Sequence, residues 1–259
     1  MKARILFTVC AAFSAAAVFA QGNGASTAES TPASRMDGRT KDKTRDPGLF
    51  GDYWWANRFL SRHQEIEKVR GKTVDLVLLG DSIMHFWEWK HPDSWKKLTA
   101  NRTVLNLGYG GDCTQHVLWR IDHGELDGYE AKCIVLMIGT NNNSSKNSRP
   151  ENVAAAIEKI AAEIRRRQPK ATLVLHPIFP RGESAKSERH AAARARNDRT
   201  NELLKKFAER DGKIVWIDFN DKLVDGTGWV PKSIMADQIH PTSAGYDIWM
   251  EALAPAIGK

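Results

Sequence analysis

The chain has 259 residues, of which 42% are hydrophobic and 27% are charged, a balance typical of a globular domain that excludes a disordered or a membrane chain. The formal net charge is +7, and the basic residues cluster at 165–167 and 189–199, where helical patterns run. We therefore expect solvated helix faces there and no nucleic-acid partner.

The first twenty residues have the pattern of a secretory signal peptide. Lys2 and Arg4 precede an uncharged apolar stretch from Ile5 to Phe19, and Ala20 supplies a small residue before a cleavage point, with Gln21 as the expected mature N-terminus. The alternative is a membrane anchor, but a span needs about 20 apolar residues, so this stretch is short for one. We expect an exported protein, secreted or periplasmic, with a signal peptide at residues 1–20 and no membrane span.

Residues 21–48 are rich in Ser, Thr, Gly, Ala and alternating charges, with almost no large apolar side chain. Such a segment cannot bury enough apolar surface to fold, and it predicts a flexible leader. Dense hydrophobic patterning begins at Leu49 and continues to the end of the chain. Residues 49–259 therefore form the one predicted folded domain.

The domain alternates predicted helices and strands. An amphipathic helix around Trp54–Val69 precedes the first strand. Five short apolar runs predict strands at Val74–Leu79, Thr103–Leu107, Cys133–Ile138, Thr172–Leu175 and Ile214–Ile217. Most of these runs are continuous rather than alternating, as in strands that are buried on both faces.

Helical patterns fill the connections between these strands. One helix begins at Pro150 and ends before Pro169, a second runs from Glu188 to Arg210 with Gly212 as its C-cap, and a last one follows Pro241. Strand–helix alternation requires right-handed crossovers and a parallel sheet. The pattern predicts an α/β fold, a three-layer α/β/α sandwich with a five-stranded parallel sheet in flavodoxin-like order.

Two cysteines, Cys113 and Cys133, remain once the signal peptide is removed. An exported protein could pair them. In the predicted sheet, however, Cys113 lies beyond the carboxyl end of the second strand, whereas Cys133 begins the third strand at the opposite edge. We therefore expect two free thiols.

Four polar clusters follow predicted strands. They are Gly80–Ser82 after the first, Gly108–Asp112 after the second, Gly139–Asn142 after the third and Asp237–His240 after the fifth. The carboxyl ends of parallel strands meet at one edge of the sheet, where open α/β folds bind their ligands. Folding does not require four polar clusters at one edge, so they predict a functional site.

The residue types in these clusters predict nucleophilic catalysis. A serine hydroxyl such as that of Ser82 attacks weakly unless a base takes its proton; His240 can act as that base, and Asp237 can fix its tautomer. The resulting oxyanion needs preorganised donors. The backbone N–H groups of Ser82 and Gly111 and the side-chain amide of Asn141 can supply them.

Taken singly, each residue also has a structural interpretation. Ser82 could cap a helix, Asn141 could cap its own loop, and Asp237 with His240 could form a surface turn. We interpret Asp81 as a structural carboxylate. His116, Trp119 and Arg120 are interpreted as scaffold. The aromatic run of His85, Phe86, Trp87 and Trp89 could either stack on a sugar ring or pack in the core, and Arg181 and His190 could reach a substrate.

The four clusters, namely Gly-Asp-Ser at 80–82, Gly111 in its glycine-rich loop, Gly-Thr-Asn at 139–141 and Asp-x-x-His at 237–240, resemble the blocks of the SGNH (GDSL) hydrolases. The resemblance covers residues 52–259. The stretches 111–120 and 180–182 look most similar to the branch that contains the catalytic subunits of platelet-activating-factor acetylhydrolase.

The resemblance implies the SGNH hydrolase fold. It also implies that Ser82, Asp237 and His240 form a catalytic triad and that Ser82, Gly111 and Asn141 form an oxyanion hole. Ile83 stands where the short motif name has leucine. The predicted signal peptide is a larger departure, because the mammalian subunits are intracellular, and it argues for a different substrate.

These observations predict a secreted serine esterase that hydrolyses short acyl esters, acetyl first, with acetylated carbohydrate as the expected substrate. The alternatives are a phospholipid, lysophospholipid or platelet-activating-factor-like acylhydrolase and, outside the enzymes, a glycan-binding protein with an inactive site. The sequence has neither a His-Glu-x-x-His nor a Cys-x-x-Cys spacing and no P-loop lysine, so we expect no metal and no cofactor. The oligomeric state is left open.

Overall fold

Five parallel strands in the order β2-β1-β3-β4-β5 form the centre of the protein. The computed structural model describes residues 54–257, so the predicted signal peptide and leader lie outside the described residues. The strands are β1 (Thr73–Gly80), β2 (Val104–Gly108), β3 (Glu130–Met137), β4 (Thr172–Leu175) and β5 (Val215–Trp216). This order confirms the predicted flavodoxin-like α/β fold.

Helices precede and connect the strands. Across residues 54–257 they are α1 (Trp54–Lys68), α2 (Ser82–Lys90), α3 (Pro92–Thr99), α4 (Thr114–Asp122), the single turn α5 (Thr140–Asn143), α6 (Pro150–Arg167), α7 (Glu188–Asp211) and α8 (Ser243–Ile257), with a 3₁₀ helix at Asn220–Leu223. The predicted helix ends agree closely with the observed ones. Pro150 opens α6, and Gly212 ends α7 in the left-handed conformation, with a φ of 69°.

Alternate side chains of the central strands pack on opposite faces of the sheet, which produces the three layers. Val77 and Leu79 of β1 face one core, to which α4, α6 and α7 contribute buried apolar residues. Leu76 and Leu78 face the other core, which α2, α3 and α8 cover. Within residues 54–257, no helix combines the length and the apolar character that a bilayer crossing needs.

The sequence-based boundary of β3 was wrong at its start. The strand begins at Glu130, not at Cys133, because the exposed charges of Glu130 and Lys132 interrupt the apolar run. Both side chains form ion pairs at the surface, with Lys170 and Asp75 respectively. The last strand is also shorter than predicted, since only two residues of β5 pair with β4.

Both cysteines are free thiols in different environments. Cys113 is half-buried at the N-cap of α4, whereas Cys133 is buried within β3. Cys133 aligns with Leu76, which in turn aligns with Val104, the first residue of β2. Cys113 comes after Gly108, at the other end of β2. The four residue steps from Val104 to Gly108, at about 3.3 Å each, already give a separation above the disulfide limit of about 7 Å between Cα atoms.

We expect one fast and one protected thiol in the protein that starts at Gln21. Ellman's reagent should react with Cys113 in the native state, whereas burial raises the pKa of the Cys133 thiol to about 12 and shields it. Denaturation without reductant should release the second thiol. A protein that shows no reactive thiol after denaturation and carries an intramolecular bridge by mass would contradict this arrangement.

Candidate active site

The carboxyl ends of the neighbouring strands β2, β1 and β3 lie at one level. Gly80 at the end of β1 is aligned with Gly108 of β2 and with Met137 of β3. A Cβ atom on Gly80 would lie 2.4 Å from the carbonyl oxygen of Met137, so only glycine allows the strands to stay this close where they end. The segments that follow the three strands therefore start side by side, and each carries one of the predicted polar clusters.

Ser82 is held at the first turn of α2, directly after β1. Asp81 is the N-cap, and its Oδ1 accepts the backbone N–H of Ile83 at 2.9 Å. The interpretation of Asp81 as a structural carboxylate is therefore confirmed, and it is Asp81, not Ser82, that caps the helix. Ser82 is 2% exposed, and its hydroxyl is directed to a different partner.

That partner is His240, which lies 158 positions later in the chain. The Nε2 atom of His240 is 2.8 Å from Ser82 Oγ, and its Nδ1 atom is 2.5 Å from Asp237 Oδ2. Because a carboxylate only accepts, Nδ1 carries the proton that it donates to Asp237. Nε2 is then the acceptor that faces the serine hydroxyl.

Asp237 is oriented by its own turn. Its Oδ1 accepts the backbone N–H groups of Ile239 at 3.1 Å and His240 at 2.7 Å, and Gln238 between them adopts a left-handed conformation with a φ of 67°. Partial burial opposes ionisation of the Asp237 carboxyl, but the hydrogen bonds and positive charge of His240 outweigh it and hold the pKa of Asp237 well below its usual range. The carboxylate therefore stays ionised beside the imidazole at any pH near neutrality.

Asn141 and Gly111 meet on adjoining loops. Asn141 lies in the single turn α5 after β3, and its Nδ2 donates to the backbone carbonyl of Asp112 at 2.8 Å. An amide nitrogen carries two hydrogens, so this bond occupies one and orients the other. Gly111 has a φ of 75°, a left-handed conformation that suits glycine, and it immediately precedes Asp112.

The aromatic run after Ser82 divides between the core and the site. Trp87 is fully buried and stacks on Tyr246 and Trp249, each with ring centroids 4.9 Å away. Phe86 lies against the imidazole of His240, with centroids 4.7 Å apart. Trp89 is 43% exposed. The core interpretation therefore holds for Trp87, and Phe86 forms a wall beside the histidine.

Arg181 is tied to the α5 turn. Its Nη1 donates to Ser144 Oγ at 2.7 Å and to Thr140 Oγ1 at 3.3 Å, and its Nε lies 3.4 Å from His190 Nδ1. Burial, together with the smaller effect of the positive charge of Arg189, lowers the pKa of Arg181 to about 10. These contacts place Arg181 next to the segment that carries Asn141; contact of Arg181 or His190 with a substrate stays a prediction.

A buried charged network lies beneath the glycine loop. The guanidinium of Arg120 forms ion pairs with Asp112 and Glu125, and all three side chains have no exposed surface. Arg120 also donates to the carbonyl oxygens of Gly80 and Leu107, each at 3.2 Å. The interpretation of Arg120 as scaffold is confirmed, but the sequence did not indicate that it joins the ends of β1 and β2 to the candidate site.

The part of the chain between residues 54 and 257 contains no group of three His, Cys, Asp or Glu side chains arranged to hold a metal ion. The side chains of the candidate site form a series of contacts. A hydroxyl faces an imidazole, the imidazole faces a carboxylate, and an oriented amide lies on the neighbouring loop.

Comparisons with known proteins identify the family of the chain. The family model of the GDSL-like Lipase/Acylhydrolase family matches residues 78–248. The chain is 32% identical over 201 residues to platelet-activating factor acetylhydrolase IB subunit alpha2 of Rattus norvegicus, covering 77% of this chain and 83% of that protein. It is 30% identical over 196 residues to subunit alpha1 of Pongo abelii, covering 76% and 79%.

Solved structures share the fold at lower identity. A GDSL-like lipase from Bacteroides thetaiotaomicron has a TM-score of 0.62 and 21% identity, covering 78% of this chain and 95% of that one. Axe2, an acetylxylan esterase from Geobacillus stearothermophilus, has a TM-score of 0.56 and 17% identity, covering 73% and 95%. At these identities the similarity shows a shared arrangement of strands and helices and nothing about activity.

The pair of Asp237 and His240 predicts how the reactivity of Ser82 depends on pH. A fluorophosphonate should attach to Ser82 Oγ, at a rate that falls in acid because a protonated His240 cannot accept the serine proton. In Asp237→Asn the ring Nδ1–H loses its carboxylate acceptor, which allows the wrong tautomer and should reduce the plateau rate by up to about 10⁴-fold. Labelling rates between pH 4 and 9, followed by mass spectrometry, measure both effects.

Asp225→Asn is the matched control for this experiment. Asp225 is an exposed carboxylate whose pKa is also lowered, through hydrogen bonds with Thr227 and not with a histidine. Its labelling profile should match that of the unaltered protein. If Asp237→Asn also retained the unaltered rate and profile, Asp237 would not act on His240.

Proposed function

Because the chain belongs to the GDSL-like lipase/acylhydrolase family and is an ester-cleaving hydrolase, we propose that it removes short acyl groups, acetyl first, with Ser82 as nucleophile. The observation that carries the proposal is the 2.8 Å contact between Ser82 Oγ and His240 Nε2, with Asp237 behind the imidazole. A nucleophile, a base and an orienting carboxylate in hydrogen-bond contact are what acyl transfer requires.

The first half of the reaction forms an acyl-enzyme. Ser82 Oγ attacks the ester carbonyl carbon while His240 Nε2 takes the hydroxyl proton, and the carbonyl oxygen becomes an oxyanion. The charge that develops on the imidazole is stabilised by Asp237. When the tetrahedral intermediate collapses, His240 returns the proton to the departing alkoxide, which leaves as an alcohol.

The second half repeats these steps with water. His240 takes a proton from water, the hydroxide attacks the acyl carbon on Ser82, and collapse returns the proton to Ser82 Oγ and releases the carboxylic acid. In both halves the oxyanion faces the same donors. They are the backbone N–H groups of Ser82 and Gly111 and the second amide hydrogen of Asn141.

The proposal of a short acyl group is supported by the surface and by the relatives. Among residues 54–257, the large apolar side chains with high exposure are Leu60, Trp89 and Val215. They belong to three different elements, α1, α2 and β5, whereas a long acyl chain needs a continuous apolar surface. The relatives at 30–32% identity are named acetylhydrolases.

We further propose that the substrate is an acetylated carbohydrate, so that the leaving group is a sugar hydroxyl. We also propose that the enzyme is exported from the cytoplasm. The predicted signal peptide supports it, since polysaccharides and cell-wall glycans are substrates that an exported enzyme meets. An acetylxylan esterase shares the fold, and that likeness carries no more than the fold. A phospholipid with an acetyl group is the second candidate, favoured by the relatives named for platelet-activating factor.

One panel of substrates separates these candidates. Acetylated xylan, acetylated sialic acid, acetylated muramyl glycan, platelet-activating factor and lysophospholipid are compared under identical conditions by acetate or fatty-acid release. A value of kcat/KM that is highest on one of the three glycans supports the carbohydrate proposal. A preference for platelet-activating factor would replace it, and a preference for lysophospholipid would overturn the short acyl group as well.

Ser82→Ala should remove nearly all hydrolysis of p-nitrophenyl acetate without changing the fold. The oxyanion donors and substrate binding leave a residual rate on the order of 10³-fold above water. Ser243→Ala is the matched control, because Ser243 Oγ also contacts a histidine, but that histidine is His91, whose Nδ1 is 3.0 Å away, and not His240. If Ser82→Ala kept more than about a tenth of kcat, the nucleophile would be another group.

Asn141→Ala should lower kcat by about 10²–10³-fold with little change in KM, because the lost hydrogen bond strengthens only as the oxyanion forms. Asn142→Ala, at the next position, removes an amide that contacts Thr114 and Gln115 instead. This control should retain the unaltered kcat. An Asn141 variant that raises KM alone would mean that the amide binds the ground state.

A further inference from the structure

Helix α1 lies before the residues that the family model matches, which begin at 78, yet its first turns reach the candidate site. Arg58 Nε donates to the carbonyl oxygen of Gly108 at 2.7 Å, at the end of β2. Trp55 Nε1 donates to Asp112 Oδ1 at 2.7 Å, across 57 positions of sequence. The helix therefore holds both ends of the segment that contains Gly111.

Asp112 connects this helix to Asn141. Its backbone carbonyl accepts the Asn141 amide at 2.8 Å, and its carboxylate accepts Trp55 on one oxygen and Arg120 Nε on the other, at 2.9 Å. Two donors on two oxygens fix both the position and the rotation of the carboxylate. Both groups belong to Asp112, so fixing its carboxylate also restricts the backbone carbonyl that accepts the Asn141 amide.

The position of Trp55 is itself well determined. The side chain is 3% exposed and packs against Phe59, Tyr109 and Trp119, with ring centroids 5.5 to 6.0 Å away. Packing among aromatic rings leaves the indole few alternative orientations. Its N–H therefore points at Asp112 in a water-poor environment, where a hydrogen bond to a charged acceptor is strong.

We propose that Trp55 is a positioning residue for the oxyanion hole: through Asp112 it sets the orientation of the Asn141 amide. The inference rests on the proposed function of Asn141 as an oxyanion donor. Trp55 does not touch the substrate, and its effect on the reaction passes through the Asp112 carbonyl. Loss of the indole N–H frees the carboxylate to rotate and displaces the amide from the place where the oxyanion forms.

Trp55→Phe in the full chain tests the proposal with p-nitrophenyl acetate. The substitution keeps an aromatic ring and removes the N–H. We expect kcat to fall by about 10- to 100-fold, the range expected when a distant change shifts a reacting group by about an ångström. KM and the acid limb of kcat/KM should stay unchanged, because the contacts of His240 with Asp237 and Ser82 are not altered.

A double variant distinguishes positioning from general damage to the fold. In the Asn141→Ala background, Trp55→Phe should lower kcat no further than about twofold, since the amide that it positions is already absent. If the two substitutions lowered kcat by independent factors that multiply in the double variant, the proposal would be overturned. An unchanged kcat in the single variant, or a change confined to KM, would also overturn it.

Trp249→Phe is the matched control. Trp249 is a fully buried tryptophan whose indole N–H also makes one side-chain hydrogen bond, to His176 Nε2 at 2.9 Å, in the core on the other side of the sheet. It should lose stability without loss of kcat. If Trp55→Phe fails to fold, replacement of Trp55 by 3-benzothienylalanine keeps the shape of the indole and removes only the N–H, with the same expected kinetics.

A readout that is independent of catalysis separates this inference from the proposed function. The side-chain amide of Asn141 gives an NMR signal pair that is assigned by its absence in Asn141→Ala. The pair should shift in Trp55→Phe and stay in place in Trp249→Phe. A shift in a protein that hydrolyses no acetyl ester would support the positioning and reject the proposed function, whereas an unshifted pair would reject the positioning.

Discussion

The structure depends on one buried charge, the guanidinium of Arg120. It lies where β1 and β2 end, and it binds the carbonyl oxygens of Gly80 and Leu107 together with the carboxylates of Asp112 and Glu125. Burial opposes the charge, but Glu125 and Asp112 outweigh it and raise the pKa of Arg120 further. Removing one partner of such a buried pair costs about 3–5 kcal/mol, so the loop after β2 has little freedom to move.

The rigidity of this loop has a chemical purpose in an ester hydrolase. Donors stabilise an oxyanion best when they are already in place, because no free energy is then spent on reorienting them during the reaction. Gly111 and Asn141 meet at a loop that Arg120 holds from below and that Trp55 and Arg58 hold from the side. The buried network therefore supports the part of the site where negative charge develops in the proposed mechanism.

The part of the site that we propose transfers protons is built differently. Asp237 is only partly buried, with 57% of its side chain exposed, and is oriented by backbone N–H groups of its own turn. His240 lies between it and Ser82, with Phe86 along its ring. Local hydrogen bonds are enough here, because the imidazole must exchange protons with substrate and water. The two parts meet at Ser82, which belongs to neither loop and is fixed by the start of α2.

The fold was predictable because most strands of a parallel sheet are buried on both faces and appear in the sequence as continuous apolar runs. The positions of Ser82, Gly111, Asn141, Asp237 and His240 were predictable for a related reason. Their clusters directly follow such runs, except for Asp237 and His240, which stand farther beyond the last one. Where charged residues entered a strand, as at the start of β3, the same signal failed and the boundary was misplaced.

The contacts that assemble the site were beyond the sequence. Ser82 and His240 are 158 positions apart, and Trp55 and Asp112 are 57 apart, so no periodicity relates them. A tryptophan at the start of an amphipathic helix has the same local pattern whether it packs in a core or holds a carboxylate. Only the packing of α1 against the end of β2 decides which it does, because that packing brings the indole N–H to a buried charge. The sequence by itself determined the layers and the candidate reacting groups, and the tertiary structure decided what holds those groups in place.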